Sequence, residues 1–479
     1  MKKLFLPLFF AFFISKAQVT NYTLSDYKYR TEGLKAIGFS INTGSSLHSG
    51  SASLNSGNIA SGLIFTKQYS KDDKQLTLWN RTGAGIGKLA GNSNPTQFSF
   101  AEQVDWVQRH YKGDNFIEFG SNSMASIYNG TYKNKKPVYN LGLNPTMGIG
   151  TGRLEYVSNA QMALFILDDL KDAGKIKGIV SNEKVDDFVK LITLLYNDRI
   201  FDYRKRRNYE VVQIENYLRT NKIITVSDIE VYNIIADNWN YSIQPSSLES
   251  TYFNSGSLQV DYKDAVTDRI NQFGVLGQPR RYAGTQTSLT VDVPSSLTTS
   301  NSGLMNGFLN STSLLIDDST VKNVLQTNKG IGANLTWERH TPLSLKLQRI
   351  LSFGAAFGNS VKSLNLKYNT NKPDSIYTEK LTGYSVFARC DYGFYPNSRT
   401  VLYASGDLYA GNSIQRFLGA ATLKGMTISA SAFLRAEYFI NEQSRLNATV
   451  ELYGSPVNPT AAARKVNLSF QIGYHNYLF

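Results

Sequence analysis

Charged residues occupy alternate positions on four predicted C-terminal strands, where they can form ion pairs or line a polar path. Arg435, for example, lies between Leu434 and Ala436. Since alternate residues of a strand share one face, the charges form a polar face opposite an apolar one. Opposite charges on neighbouring strands can pair. Two interpretations stand: a network that stiffens an enclosed interior, or a polar wall along a solute path. The seven residues are Arg389, Asp391, Asp407, Arg435, Glu437, Arg445 and Glu451.

A basic run lies in a predicted helical region, with Arg199 and Arg219 nearby. Its members are Arg204, Lys205, Arg206 and Arg207. A charge run is typical of a solvated surface. The run also suits docking to an acidic periplasmic partner, an anionic cell-wall polymer or phospholipid headgroups. The sequence leaves both interpretations open.

The sequence lacks the usual patterns of catalytic and metal sites. None of the four histidines belongs to a His-Glu-x-x-His pair, and there is no Gly-x-Ser-x-Gly motif. Gly148, Gly150 and Gly152 alternate with other residues ahead of Arg153, but the Lys-Ser/Thr of a phosphate-binding loop does not follow. The lone Cys390 excludes an internal disulfide framework. We therefore predict a non-enzyme with no catalytic residue, metal or cofactor, and a lipid-modifying enzyme is the least favoured alternative.

Period-two alternation dominates both ends of the chain. Even positions from Met426 to Ile440 are apolar, and the odd positions include Arg435 and Glu437. A face with full charges does not suit the dry core of a sandwich, whereas a lipid-facing exterior and a wet interior account for both faces. The predicted strands are 34–46, 58–69, 75–88, 97–112, 115–128, 136–151, one near 288–293, 330–340, 343–371, 382–395, 400–411, 426–440, 444–455 and 464–478.

The N-terminus has the pattern of a secretory signal peptide. Lys2 and Lys3 precede a mostly apolar run, and Ala17 provides a small residue at the cleavage point. The run is too short to cross a bilayer as a helix. Removing it with Lys16 takes away three positive charges, so the mature net charge is 13 − 3 = +10.

The signal peptide, the alternating strands and the C-terminal sequence from Tyr474 to Phe479 together resemble those of bacterial outer-membrane β-barrel proteins. In that class a terminal Phe such as Phe479 is the signal read by the barrel-insertion machinery. The resemblance implies an outer-membrane location, with the lipid bilayer and the insertion machinery as partners and no nucleic acid. Outer-membrane barrels have short periplasmic turns and longer external loops. Connection lengths alternate in this way along the chain, which places residue 152 at the periplasmic side.

Between the two strand regions the apolar spacing changes to that of helices. Ser158 and Gln161 form a capping box before Met162, Phe165 and Ile166, and further helices are predicted near 181–195, 209–220 and 227–239. The fold class is therefore an antiparallel up-and-down transmembrane barrel of about 14 strands, with 12–16 accepted, and an inserted α-helical periplasmic domain. The predicted segments are 1–17 (signal peptide), 30–153 (strands), 154–250 (helical insertion), 251–328 (loop-rich) and 329–479 (C-terminal strands).

The sequence favours a passive or gated pore for small polar or anionic solutes. In that case the helical insertion gates the pore or tethers a periplasmic or cell-wall partner. The alternative is a structural or assembly scaffold, in which the barrel only anchors the helical domain. The charged interior supports the pore, and the basic run supports the scaffold.

Overall fold

The computed structural model divides the chain into a large sheet and a smaller helical unit. It describes residues 19–28, 30–47, 55–88, 96–129, 138–197, 203–241, 281–300, 321–368, 373–417, 422–441, 444–455 and 465–476. The signal-peptide prediction (1–17) and the insertion signal at Phe479 lie outside these residues. The helical unit takes its described residues from 19–27 and 158–241, and the sheet takes the rest.

Within the described residues the sheet has fifteen strands, and every pair of neighbours is antiparallel. The prediction of an antiparallel β protein is therefore confirmed. The strands are β1 (Thr31–Leu47), β2 (Asn55–Ser70), β3 (Lys74–Lys88), β4 (Thr96–Lys112), β5 (Asn115–Asn129), β6 (Val138–Tyr156), β7 (Tyr282–Asp292), β8 (Ser295–Ser300), β9 (Val321–Pro342), β10 (Leu347–Tyr368), β11 (Ser375–Asn397), β12 (Thr400–Phe417), β13 (Thr422–Asn441), β14 (Ser444–Ser455) and β15 (Lys465–Asn476).

Strands β7 and β8 share one position in the sheet. Both pair with β6 on one side and with β9 on the other, and their registers are continuous across Val293 and Pro294. Proline lacks a backbone donor, which accounts for the interruption. The path across the sheet thus has fourteen strands, starting at β1 and ending at β15 within the described part of the chain.

Several strands are longer than the sequence predicts. Strands are predicted at 400–411 and 426–440, but these bounds are wrong because Asn412 pairs with Met426 and β12 continues to Phe417. Likewise β9 begins at Val321, ahead of the predicted start. Backbone pairing continues where the apolar alternation is lost, so this loss does not mark the end of a strand.

The two faces of the sheet differ sharply in exposure. Apolar residues on one face are open to the surroundings, with exposed fractions of 58% for Leu434, 61% for Leu408 and 72% for Leu468. Several charged residues on the other face are buried, including Glu118 and Asp391 at 0%. This distribution is the reverse of a water-soluble protein, which buries apolar side chains and exposes charges.

The helical unit has a conventional apolar core. Its helices are α1 (Ser158–Asp172), α2 (Asn182–Asn197), α3 (Tyr203–Thr220) and α4 (Ile229–Tyr241). α1 buries every residue from Ser158 to Leu167. The other three helices each bury an apolar face, represented by Ile192, Ile214 and Ile235, all at 0% exposure. Among the described helices, none combines the length and the apolar character that a membrane crossing demands.

The segment 19–27 belongs to the helical unit although it precedes β1. The amide of Val180 donates to the carbonyl of Val19, and the Tyr27 hydroxyl lies 2.9 Å from Thr193 Oγ1. Tyr22 donates to Asp186, and burial raises the pKa of the Tyr22 hydroxyl. This packing is not predictable from the sequence, because the segment is too short for a periodic pattern.

Leu24, which is 3% exposed, makes the contribution of this segment measurable. We expect Leu24→Ala to lower the free energy of unfolding of the helical unit by about 2–5 kcal/mol, because it leaves a cavity in a packed core. Leu194→Ala on α2, where the leucine is 64% exposed, is the matched control and should cost little. Urea unfolding of the full chain in detergent, followed at 222 nm, provides the measurement. Equal effects of the two substitutions would contradict the packing of this segment.

Candidate functional site

Four of the seven predicted charged residues form two buried pairs on the polar face. Arg389 donates to both carboxylate oxygens of Asp391, at 2.8 and 3.0 Å. The same carboxylate accepts from Ser405, and Arg389 also donates to the Tyr403 hydroxyl at 3.2 Å. Arg389 is 9% exposed and Asp391 is 0% exposed. Complete hydrogen bonding of this kind is what a buried charge requires.

The second pair joins Arg435 to Glu437 on β13, and Glu437 is 3% exposed. The remaining predicted residues are less enclosed. Asp407 is half-buried and accepts from Ser431 at 2.6 Å, while Glu451 is exposed. Arg445 lies on β14, but its side chain is outside the described residues.

A second charged cluster, which the sequence did not predict, lies at the edge of the sheet that carries the short turns. Arg30, just ahead of β1, reaches both oxygens of Glu155 on β6, each at 3.0 Å, and also reaches Asp72 in the β2–β3 turn. The Arg30 guanidinium lowers the pKa of the exposed Asp72 carboxyl. Arg153 lies 3.4 Å from Glu155 and donates to Ser70 at 2.7 Å.

A third charge pair extends the cluster towards the middle of the sheet. Arg109 on β4 lies 2.7 Å from Glu118 on β5, and its guanidinium stacks over the Phe116 ring at 5.3 Å. Arg109 also donates to Gln286 on β7 at 3.5 Å. Glu118 alternates with Ile117 and Phe119, which are exposed, and this alternation is the sequence signal from which the pair could have been predicted.

Arg281 is fully buried at the start of β7 and holds the turn between β9 and β10. Its guanidinium donates to Gln348 at 2.8 Å and stacks over the Tyr395 ring at 4.7 Å. It also donates to backbone carbonyls of the turn at Ser344, Leu345 and Leu347. Weak periodicity in the predicted loop-rich segment 251–328 concealed this residue.

Several of these contacts join strands that are not neighbours in the sheet. Arg153 to Ser70 connects β6 to β2, and Arg109 to Gln286 connects β4 to β7. Arg153 also stacks over the Tyr111 ring, which joins β6 to β4 at 4.8 Å. Side chains of a flat sheet cannot span several strands at 4.8 Å spacing. The sheet is therefore curled, with the polar face inside the curve.

Glycines of β6 permit close packing at this concave face. A Cβ on Gly150 would lie 2.3 Å from both the Phe116 ring and the carbonyl oxygen of Thr287. The glycines between Gly148 and Arg153 therefore lie within a paired strand. A phosphate-binding loop requires free backbone amides before a helix, and paired strand amides do not offer them.

The predicted basic run lies in the first turns of α3. The side chains of Arg204, Lys205, Arg206 and Arg207 are outside the described residues. Positive charge at a helix N-terminus opposes the helix dipole, so the run does not stabilise α3. Because its side chains are outside the described residues, the docking role of the run stays a prediction.

Burial separates the charged residues of the concave face into two groups. Paired residues such as Asp391 and Glu437 are shielded from water. Because buried, hydrogen-bonded polar groups are rigid, these pairs stiffen the concave face of the sheet. Asp407 and Glu451 keep contact with solvent and are able to interact with a solute. Five arginines have carboxylate or carbonyl acceptors within reach, namely Arg389, Arg435, Arg30, Arg109 and Arg281.

No protein-family model and no curated protein matches the chain. Solved structures of low similarity do match, and they come from the class of proteins that the sequence resembles. OmpT in its trimer form, an outer membrane protein of Vibrio cholerae, is 10% identical over 93% of this chain and 99% of its own, with a TM-score of 0.26.

The translocator domain of the autotransporter NalP from Neisseria meningitidis is 8% identical over 94% of this chain and 90% of its own, with a TM-score of 0.24. A deletion mutant of TodX, a monoaromatic hydrocarbon channel, is 9% identical over 93% and 89%, with a TM-score of 0.26. At these TM-scores the account of this chain rests on its own strand order and contacts.

The Arg389–Asp391 pair makes the stiffening role testable. Asp391→Leu should destabilise the sheet by about 3–5 kcal/mol, because it leaves the buried Arg389 without its carboxylate. The double variant Arg389→Met with Asp391→Leu should recover most of this loss, since neither charge remains. Urea titration of the refolded proteins in vesicles measures both. Destabilisation of the double variant that matches or exceeds that of Asp391→Leu would contradict the proposed pairing.

Proposed function

We propose that this chain is a β-barrel of the bacterial outer membrane whose concave wall lines a pore for small polar solutes. The reversal of the two faces carries this proposal. Apolar residues that are 58–72% exposed, such as Leu434 and Leu468, suit contact with lipid tails. Buried ion pairs and polar groups suit a wall that faces a water-filled interior.

The size of the sheet supports an open interior. Side chains fill a barrel of about 8 strands, whereas barrels of about 16–18 strands leave an aqueous channel. If the path of fourteen strands closes into a barrel, as proposed, its size lies nearer the second group. Because the arginines of the wall are accompanied by acidic or neutral acceptors, the wall favours polar solutes over strongly anionic ones.

The helical unit is proposed to lie in the periplasm. The ends of β6 and β7 that adjoin it in sequence, Tyr156 and Tyr282, belong to the edge that carries the short turns, such as 71–73 and 113–114. Short turns face the periplasm in outer-membrane barrels. We propose no catalytic role for either unit.

A scaffold is the second candidate function, and the basic run on α3 favours it. In this alternative the sheet anchors the helical unit and conducts no solute. Capture of an anionic cell-wall polymer by the full chain, lost when Arg204 to Arg207 are all replaced by Gln, would support the scaffold.

Leu408 tests whether the apolar face contacts lipid. Leu408→Arg should destabilise the protein in vesicles by about 2–4 kcal/mol, because arginine on a lipid-facing strand is costly near the bilayer centre. Ile179→Arg in the helical unit is the matched control, since Ile179 is 70% exposed and faces water in this proposal. Urea titration in vesicles compares the two. Equal tolerance at both positions would argue against lipid contact.

Glu451 tests the pore itself. Register places it on the face of Asp391, through Phe433 and Ser405. In planar bilayers under a salt gradient, Glu451→Lys should shift the reversal potential towards anion selectivity, with Glu451→Gln shifting it less. Glu183→Lys in α2 changes the net charge equally and should leave the potential unchanged. A full-length refolded protein that gives no conductance would exclude the pore and leave the scaffold.

A further inference from the structure

We infer that β15 pairs with β1 in one antiparallel register, with Phe470 opposite Phe39. The inference deepens the proposed membrane barrel and rests on it. The pairing path begins at β1 and ends at β15 in the part of the chain that the structure describes. In lipid, an unpaired strand edge would carry unsatisfied backbone groups, so membrane barrels close. The open question is the register of closure.

The faces of the two strands limit the possible registers. Directly opposite residues on paired strands share a face. Phe39 pairs with Leu63, which is 43% exposed, so the odd positions of β1 lie on the apolar face. On β15 the even positions lie on this face, because Leu468 pairs with Leu452 of β14, which is 45% exposed. Closure must therefore pair odd positions of β1 with even positions of β15.

One allowed register gives each exposed apolar residue of β15 an apolar partner. The three pairs are Leu468 with Ile41, Phe470 with Phe39 and Ile472 with Ile37. A shift of two residues in one direction places Leu468 opposite Thr43, and the opposite shift places Ile472 opposite Lys35. Matched apolar pairs stabilise adjacent strands.

The registers of the other strands allow the tilt of the closed barrel to be checked. Register partners can be followed from strand to strand across the sheet, which defines a row of directly opposite residues. The row begins at Val466, near the start of β15, and reaches the last residue of β4, at the end of the strands that carries the short turns. Its members are Val466, Gly454, Ala430, Leu408, Ala388, Phe353, Trp337, Thr287, Thr151, Asn115 and Lys112. Continued at the registers of β3, β2 and β1, the row arrives at position 29.

This offset determines the strand tilt that closure would produce. In the inferred register Val466 lies opposite Thr43, which is 43 − 29 = 14 residues beyond the end of the row. Fourteen residues extend about 46 Å along a strand, and fourteen strands extend about 67 Å across it. The ratio corresponds to a tilt of about 35°, within the range of about 35–45° for closed barrels. Apolar matching therefore selects the register, and the tilt that this register gives lies at the lower end of the range for closed barrels.

Disulfide cross-linking tests this register directly. Ser469→Cys combined with Ser40→Cys places two thiols opposite each other, in a background that carries Cys390→Ala. Opposite Cα atoms lie about 4.5–5.5 Å apart, within disulfide reach, whereas diagonal neighbours lie about 7–8 Å apart. Copper-phenanthroline oxidation of the refolded full chain in vesicles, followed by peptide mass analysis, reports the link.

Matched pairs identify the register. Gly38→Cys with Gln471→Cys is a second on-register pair, whereas Gly38→Cys or Asn42→Cys combined with Ser469→Cys is displaced by two residues. We expect an intramolecular link in most molecules of both on-register pairs and in few of the displaced pairs. Each reduced variant should keep the heat-dependent gel mobility of its parent, which verifies folding.

The other outcomes overturn the inference in distinguishable ways. Preferential linking of a displaced pair would overturn the register while leaving a closed barrel. Linked dimers would show that β15 pairs with a second copy of the chain. Links in none of the folded variants would overturn closure. None of these readouts depends on ion conduction, so they are separate from the test of the pore.

Discussion

The sheet depends on the pairing of charges that lie on its buried face. Taking a charge out of water is costly unless hydrogen bonds and an opposite charge replace the lost solvation. Asp391 meets this requirement through Arg389 and Ser405, and Glu118 does so through Arg109. The Ser405–Asp391 and Arg109–Glu118 bonds join neighbouring strands, whereas the Arg389–Asp391 pair lies within β11. The outer apolar face needs no such precision, because lipid accepts any apolar side chain.

The helical unit is stabilised in a different way. Its core is apolar, and the segment 19–27 packs into it through Val19, Leu24 and Tyr27, each 2–3% exposed. The chain thus combines a unit that follows the rules of water-soluble proteins with a sheet that reverses them. Hydrophobic burial drives the first, whereas backbone pairing and polar contacts hold the second.

Sequence periodicity predicted the strands and helices well because each signal is local. The polar face of β11 and β13 could be predicted from the sequence, because alternate residues of a strand lie on the same face. The residues that indicate it are Arg389, Asp391, Arg435 and Glu437. The cluster around Arg30 could not be predicted, because the partners of Arg30 lie on β6 and in the β2–β3 turn, far from it in sequence.

Two further features were hidden for other physical reasons. The strands continue beyond the segments in which apolar and polar residues alternate. Polar residues such as Asn412 therefore fall outside the predicted strands although their backbones are paired. Arg281 belongs to a segment with weak alternation, and its role follows from the turn that it contacts. Long-range contacts require knowledge of the strand order, which one sequence does not encode in any local pattern.

The central claim, that the apolar face meets lipid and the polar face meets an aqueous interior, is tested most directly by single spin labels along β13. Labels placed in turn at positions 428–438, in a Cys390→Ala background, report their accessibility to oxygen and to a water-soluble nickel reagent in vesicles. The account predicts period-two alternation, with even positions such as Leu434 open to oxygen and odd positions shielded from it. Uniform accessibility to the nickel reagent, or alternation in the opposite phase, would contradict it.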